Sequence, residues 1–228
     1  MAVGAIATLI VLMLAAASAK AAGLALALAL DVSASVSADS YVLQRDGIAR
    51  AFGDPRLAAA ISAAPGGIEV LVLEWSDPDK IAVTVDWTRV ADAAGARSFA
   101  AAVRATRRTS GGITAIGPAL LAAAATFDHL PEPAARRLID ISGDGIANFG
   151  LPPAVARDRI LARGIEINGL AIVVDEPGLA DYYRTNVIGG PSAFVAVART
   201  FDDFAVAMLR KLEREVAAAS PEPPAQMQ

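Results

Sequence analysis

The segment Leu24 to Leu30 alternates leucine with alanine and runs directly into Asp31. A short segment that is apolar at every position has no face to offer to water. It reads as the central strand of a parallel sheet covered by helices on both sides. Asp31 then stands at the carboxyl end of that strand, where open α/β sheets gather their ligands. The chain has 228 residues, which suits one domain with a full core. Hydrophobic residues make up 55% of it but aromatics only 5%, because alanine dominates. Such a composition fits a soluble, helix-rich globule better than a membrane bundle.

The rest of the sequence keeps a βαβ rhythm. After the polar stretch from Asp31 to Ser40, a helix is predicted over Tyr41 to Phe52, with Ser37 as its cap and Asp39 in its first turn. Ile68 to Trp75 and Lys80 to Thr88 read as two strands joined by the turn Ser76-Asp77-Pro78-Asp79, a hairpin at the sheet edge. Helices are predicted at Ala91 to Arg104 and Ile116 to Phe127, with a glycine-rich loop from Thr109 to Thr114 between them. Arg137 to Ser142 is a second buried strand, followed by Gly143-Asp144-Gly145. A helix from Pro153 to Arg163, strands at Ile165 to Val174 and Ala193 to Ala198, and a closing amphipathic helix from Phe201 to Ala219 complete the pattern.

Residues Ala2 to Ala19 are uncharged and almost wholly apolar, and Ala17-Ser18-Ala19 and Ala19-Lys20-Ala21 both offer a small-x-small cleavage pattern. Residues 1–21 are therefore expected to be a signal peptide of an exported protein, periplasmic or secreted. The competing reading is an uncleaved anchor, since no Lys or Arg precedes the run. Residues 22–219 form the folded domain, and the Pro- and Gln-bearing tail 220–228 is expected to be disordered. Twenty basic residues against twenty-four acidic ones give a net charge of −4. The basic residues form no run that could neutralise phosphates, which argues against nucleic acid. There is no cysteine, so disulfides, thiolate metal sites and cysteine nucleophiles are excluded.

Asp31-Val32-Ser33-Ala34-Ser35 sets one carboxylate and two hydroxyls at alternate positions where a strand runs out into a loop. Thr114 adds a hydroxyl from the glycine-rich loop. Asp144 adds a carboxylate at the end of the strand expected beside the first. Only hard oxygens are on offer, a set that suits Mg2+, Mn2+ or Ca2+ and suits zinc or copper poorly. Taken singly, each residue has a structural reading: Ser33 or Ser35 as helix caps, Thr114 as a loop hydroxyl, Asp144 as a turn former ahead of Gly145. Five matches in order at strand ends point instead to one metal site.

These residues resemble the metal-ion-dependent adhesion site of von Willebrand factor type A (VWA) domains, with its D-x-S-x-S, distant Thr and distant Asp in the same chain order. The likeness runs from about Leu24 to Ala219. Within that superfamily the chain looks most like a bacterial group of domains of unknown function, on segments such as Glu74-Trp75-Ser76, Ile139-Asp140-Ile141-Ser142-Gly143-Asp144-Gly145, Ile167-Asn168-Gly169-Leu170 and Val187-Ile188-Gly189-Gly190-Pro191. The resemblance implies a Rossmann-like three-layer α/β/α sandwich, its central sheet mostly parallel with one antiparallel edge strand. It also implies that Ser33, Ser35 and Thr114 bind the ion directly while Asp31 and Asp144 act largely through water. An ion held by so few anions favours a carboxylate from a partner.

Other polar residues fall on the same edge. Glu74, Asn148, Tyr182 and Tyr183 are candidate rim residues for a ligand, together with Trp75, Asp175 and Asn186, and for each the competing reading is packing or loop hydrogen bonding. His129, the one histidine, reads as a solvated helix end. Asp140, inside a strand, is expected to pair with Arg136 or Arg137. The function implied is a metal-dependent binding module that captures a protein or peptide through its Asp or Glu, and not an enzyme. A Mg2+-dependent hydrolase using Asp31 is the alternative, but it would want a second carboxylate in the first loop and a lysine for phosphate, where the only lysines are Lys20, Lys80 and Lys211. A VWA scaffold with no metal bound is a further alternative. A serine hydrolase has no G-x-S-x-G elbow to support it.

Overall fold

The computed structural model describes residues 21–219. The expected signal peptide, up to Lys20, and the expected disordered tail from Ser220 lie outside the described residues. The strand predicted first is β1 (Ala22–Asp31), and every residue in it is buried. It is followed by α1 (Ala38–Gly53), α2 (Pro55–Ala63), β2 (Ile68–Trp75), β3 (Ile81–Val90), α3 (Ala93–Ala105) and α4 (Ile116–Thr126). After a 3-10 turn over Phe127–His129 come β4 (Ala134–Gly143), α5 (Pro153–Leu161), β5 (Glu166–Ile172), α6 (Leu179–Asn186), β6 (Val195–Ala198) and α7 (Phe204–Ala217). The six strands lie in the order β3-β2-β1-β4-β5-β6. All neighbours are parallel except β2 and β3, so the antiparallel strand is the edge strand β3, as the hairpin predicted. Among the described residues, no helix is long and apolar enough to cross a membrane.

The leucine–alanine alternation of β1 builds two unlike layers. Leu24, Leu26, Leu28 and Leu30 face one core, with Ile48 and Phe52 of α1, Leu57 and Ile61 of α2, Phe99 of α3, and Met208 and Leu212 of α7. Phe52 and Phe99 meet there with ring centroids 4.5 Å apart. Ala25, Ala27 and Ala29 face the other core, where α4 brings Ala119, Ala123 and Ala124. Small residues on both sides let α4 approach the sheet closely, which positions the loop preceding it over the end of β1.

Two helices were not predicted. In α2, Asp54 accepts the Arg56 N–H at 2.8 Å and Pro55 occupies the first helical position, a start signal present in the sequence. α6 has eight residues and no side-chain cap, which leaves little local signal. α7 begins at Phe204, since Phe201 to Asp203 form a turn before it.

Asp140 has a different partner from the one expected. Arg136 stands four residues back along an extended strand, about 13 Å away, and Arg137 points to the opposite face. Arg136 instead pairs with Glu166 at 2.8 Å, and Arg137 donates to the Arg163 carbonyl. The partner of Asp140 is Lys211 of α7, whose Nζ lies 2.7 Å from Asp140 Oδ1 and also pairs with Glu215. Asn168 of β5 donates to Glu215 Oε1 at 2.8 Å, so the cluster ties β4 and β5 to α7. Two buried carboxylates share one ammonium. Burial pushes the Asp140 carboxyl up to about 7, against the pull of Lys211 and with a further upward push from Glu215.

A carboxyl raised on folding holds a proton that the unfolded chain releases. Its stabilising contribution is full below the ordinary carboxyl range and falls by up to about 1.4 kcal/mol per pH unit as pH rises toward the folded value. Asp140→Asn removes this linkage. Urea unfolding at roughly pH 5 and pH 7 should show the stability difference shifting against the wild type at the higher pH.

Candidate metal centre

The five oxygen-bearing residues meet at the carboxyl edge of the sheet, on the loops that leave β1, β4 and the segment before α4. Asp31 is 0% exposed, and its Oδ1 accepts the Ser33 N–H at 2.7 Å, which turns the chain sharply as it leaves the strand. The Ser33 and Ser35 hydroxyls lie 3.2 Å apart, and Ser35 donates to Asp144 Oδ1 at 2.7 Å. One hydrogen-bonded chain thus runs from β1 to the end of β4. Thr114 joins from the side: its N–H donates to Asn148 Oδ1 and its carbonyl accepts the Asn148 N–H, both at 3.0 Å. Its Oγ1 lies 3.7 Å from where a Cβ on Gly145 would stand, beside the Asp144 loop.

Several residues that the sequence reading did not single out hold these loops in place. Arg108 donates through Nη2 to the carbonyls of Val32 at 2.7 Å and Ser33 at 2.9 Å, clamping the backbone between the first two ligand candidates. Ala34 N–H donates to the Gly112 carbonyl at 2.7 Å. Gly112 leaves room for the Asp77 carboxylate: a Cβ there would lie 2.0 Å from Asp77 Oδ1, which accepts the Ile113 N–H. Ala115 N–H donates to the Ser76 carbonyl at 3.2 Å. The hairpin turn therefore serves the site from the side.

The candidate rim residues divide. Glu74 is 1% exposed, and its two oxygens accept from the Tyr41 hydroxyl and from the N–H and hydroxyl of Thr109, all at 2.8 Å. It is a strut beneath the glycine-rich loop and presents nothing to a ligand. Tyr183 is also fully buried. Asn148 and Tyr182 line an open cleft of about 500 Å³ next to the oxygen cluster, with Phe149, Pro152 and Asn186 among its other walls. The Tyr182 hydroxyl accepts the Ala147 N–H at 3.3 Å. His129 is exposed, at the end of the 3-10 turn and ahead of β4, on the edge remote from this site.

Burial pushes the Asp31 carboxyl up to about 7, opposed by hydrogen bonds from Ser33 and helped by the Asp144 charge. Burial likewise raises Asp144. Asp31 Oδ2 is buried with no hydrogen-bond partner among the described residues. A buried carboxylate with a free oxygen calls for a counter-charge, and the surrounding donors are hydroxyls and one more carboxylate. This set fits a hard divalent cation. Among the described residues there is no group of three or more His, Cys, Asp or Glu, so an ion here would depend on the serine and threonine oxygens.

A family model described as a protein of unknown function (DUF1194) matches residues 21–220. The chain belongs to this family. No curated protein matches it. Among solved structures, proximal thread matrix protein 1 from the mussel byssus, with a zinc-occupied MIDAS motif, superposes with a TM-score of 0.60 at 15% identity, over 88% of this chain and 49% of that one. The pilus adhesin SpaC of Lactobacillus rhamnosus GG gives a TM-score of 0.62 at 14% identity, covering 85% and 30%. Manganese-loaded TRAP protein of Plasmodium vivax gives 0.52 at 13%, covering 83% and 74%. The chain thus spans about half of the mussel protein and under a third of the pilus adhesin. The fold of this DUF1194 member is VWA-like, a three-layer α/β/α sandwich.

Replacing Arg108 by Met in this DUF1194 protein removes two charge-assisted bonds from the Val32–Ser33 backbone. The expected cost is about 1.5–3 kcal/mol in chemical unfolding, with amide exchange accelerating first over Val32 to Val36.

Proposed function

We propose that this DUF1194 protein is an exported, metal-dependent binding module. A divalent cation held by Ser33, Ser35 and Thr114, with Asp31 and Asp144 acting behind them, captures an Asp or Glu side chain of a protein or peptide partner. The observation that carries the reading is the continuous Asp31–Ser33–Ser35–Asp144 hydrogen-bonded chain, with Thr114 locked beside it through Asn148. The ion would supply an electrophilic centre for an incoming carboxylate. The chain's own residues orient it: Ser33 N–H fixes one Asp31 oxygen, Arg108 fixes the backbone that carries Ser33, and Asn148 fixes Thr114. Asn148, Tyr182 and Asn186, around the adjoining cleft, would select what flanks the captured acid.

Mg2+ leads among the candidate ions, with Mn2+ and Ca2+ next, on the hardness of the oxygens. Zinc belongs in the test because the mussel protein carries it at the corresponding motif. An ion that binds only the folded state adds about 1.4 kcal/mol at ten times its dissociation constant. Melting of the protein should therefore rise with Mg2+ or Mn2+. Asp144→Ala should blunt that rise while the chelated protein still folds. An unchanged response would remove Asp144 from the site.

Capture is tested by a pull-down in Mg2+ against chelator, followed by binding of the eluted partner to variants. Thr114→Ala should weaken capture more than Tyr182→Phe or Asn186→Ala, since it removes a metal ligand and they remove peripheral contacts. Capture that persists in chelator would move the interface elsewhere. Metal-dependent turnover of a phosphate or ester substrate, lost in Asp31→Asn, would favour the hydrolase instead. Export predicts a chain cleaved at Ala19 or Ala21, read by intact-mass analysis of the periplasmic or secreted protein. Full-length chain in the membrane fraction would mean an anchor.

A further inference from the structure

Tyr183 is an unusual residue to bury. Its ring lies fully inside the alanine-side core, and its hydroxyl has no hydrogen-bond partner among the described residues. A phenylalanine would fill the same volume without the cost of burying an unbonded hydroxyl, about 1–3 kcal/mol. Yet the sheet is shaped to receive a tyrosine here. A Cβ on Gly169 of β5 would lie 2.6 Å from Tyr183 Cδ1, and a Cβ on Gly143 of β4 would lie 2.8 Å from the Tyr183 hydroxyl. Two neighbouring parallel strands carry glycine where the side chain crosses them.

The point above Gly143 that is 2.8 Å from the Tyr183 hydroxyl is also 2.8 Å from Asp31 Oδ2. Both atoms are buried without a partner among the described residues, one a donor and the other an acceptor. They are not directly bonded to each other, and a single shared water is the unit that closes such a gap. Asp31 Oδ1 is already fixed by Ser33 N–H, so Oδ2 is the edge of the carboxylate that still lacks a donor.

We propose that Tyr183 is a positioning residue of the metal site, its hydroxyl donating through one water to Asp31 Oδ2 and so holding that carboxylate correctly turned behind the ion. The assignment rests on the metal-site reading above and deepens it. Tyr183 touches no partner. It acts through Asp31, in the way outer-shell donors tune the groups that surround a metal. The arrangement also accounts for Gly143, whose missing side chain leaves the space through which donor and acceptor meet. Tyr182 next to it, half-buried and bonded to Ala147, has no part in this.

The test is the Mn2+ dissociation constant of the full chain, measured from the signal of free Mn2+ in electron paramagnetic resonance, for wild type, Asp31→Asn and Tyr183→Phe. Tyr183→Phe keeps the ring on Gly169, so its melting temperature in chelator should equal or exceed that of wild type. Its Mn2+ affinity should fall about tenfold or more, the size of effect that outer-shell donors have. Equal Mn2+ affinity in Tyr183→Phe and wild type overturns the assignment while leaving the metal site standing. A loss of affinity that comes with a lower melting temperature in chelator also overturns it, because the ring and not the hydroxyl would then be responsible. Wild type that binds no Mn2+, or binds it as well after Asp31→Asn, brings down the metal-site reading itself and this inference with it. A second readout needs no variant: Mn2+ titrated into wild type should give a tyrosine difference band in the near ultraviolet, and a flat spectrum overturns the role of Tyr183 whether or not the variant can be purified.

Discussion

A carboxylate at the end of a strand buried on both faces is costly, and the edge of this fold is organised around that cost. Asp31 cannot move toward water, because β1 is hydrogen-bonded between β2 and β4 and packed by helices above and below. Its neighbours must come to it. Ser33 N–H turns back onto one oxygen, Asp144 arrives from β4, and the other oxygen faces Tyr183 across Gly143. A buried anion that is only half satisfied holds free energy in reserve for a cation to release.

The loops that surround Asp31 are rigid for a second reason, which lies in the sheet's topology. Parallel strands end together on one edge, so the loops after β1, β2 and β4 are neighbours, and each can bond the next. Val32 N–H reaches the Trp75 carbonyl, Ala34 N–H reaches Gly112, and Glu74 at the end of β2 supports Thr109. The candidate ligands therefore sit on a mesh of backbone bonds. Preorganisation of this kind lowers the ordering cost of binding an ion or a carboxylate.

What could be read in the sequence follows from where the signal is local. β1, β2 and the hairpin were legible because apolar runs and turn residues announce themselves over a few positions, and β2 was placed at both ends. The oxygen-bearing residues were legible because their order along the chain survives folding. The partners of side chains were not. Asp140 was assigned to an arginine nearby in sequence, whereas Lys211, seventy-one positions on, crosses the sheet face to reach it. Glu74 and Tyr183 looked like rim residues because they follow or end strands on the right edge. Strand position fixes the edge but not which way a side chain turns, and both turn inward. Arg108 carried no signal at all, since one of two adjacent arginines in a loop resembles the other until its carbonyl partners are known.

The placement of the cations bears on what the site can do. A phosphate or other dianionic substrate needs fixed positive charge beside the metal to balance it. Among the described residues the two lysines already have partners: Lys211 is buried on the far face of the sheet with Asp140 and Glu215, and Lys80 pairs with Asp77 and donates to the Gly111 carbonyl at 3.5 Å. Arg108, the arginine that reaches the first ligand loop, directs its Nη2 at two backbone carbonyls. Around the candidate site the edge carries hydroxyls, amides and apolar side chains such as Ile113, Ile146 and Phe149, which are exposed there. On the proposed reading, a carboxylate with one negative charge and an apolar stem suits that environment better than a dianion would. The same balance that leaves Asp31 in need of a counter-charge therefore limits what an ion placed there can attract.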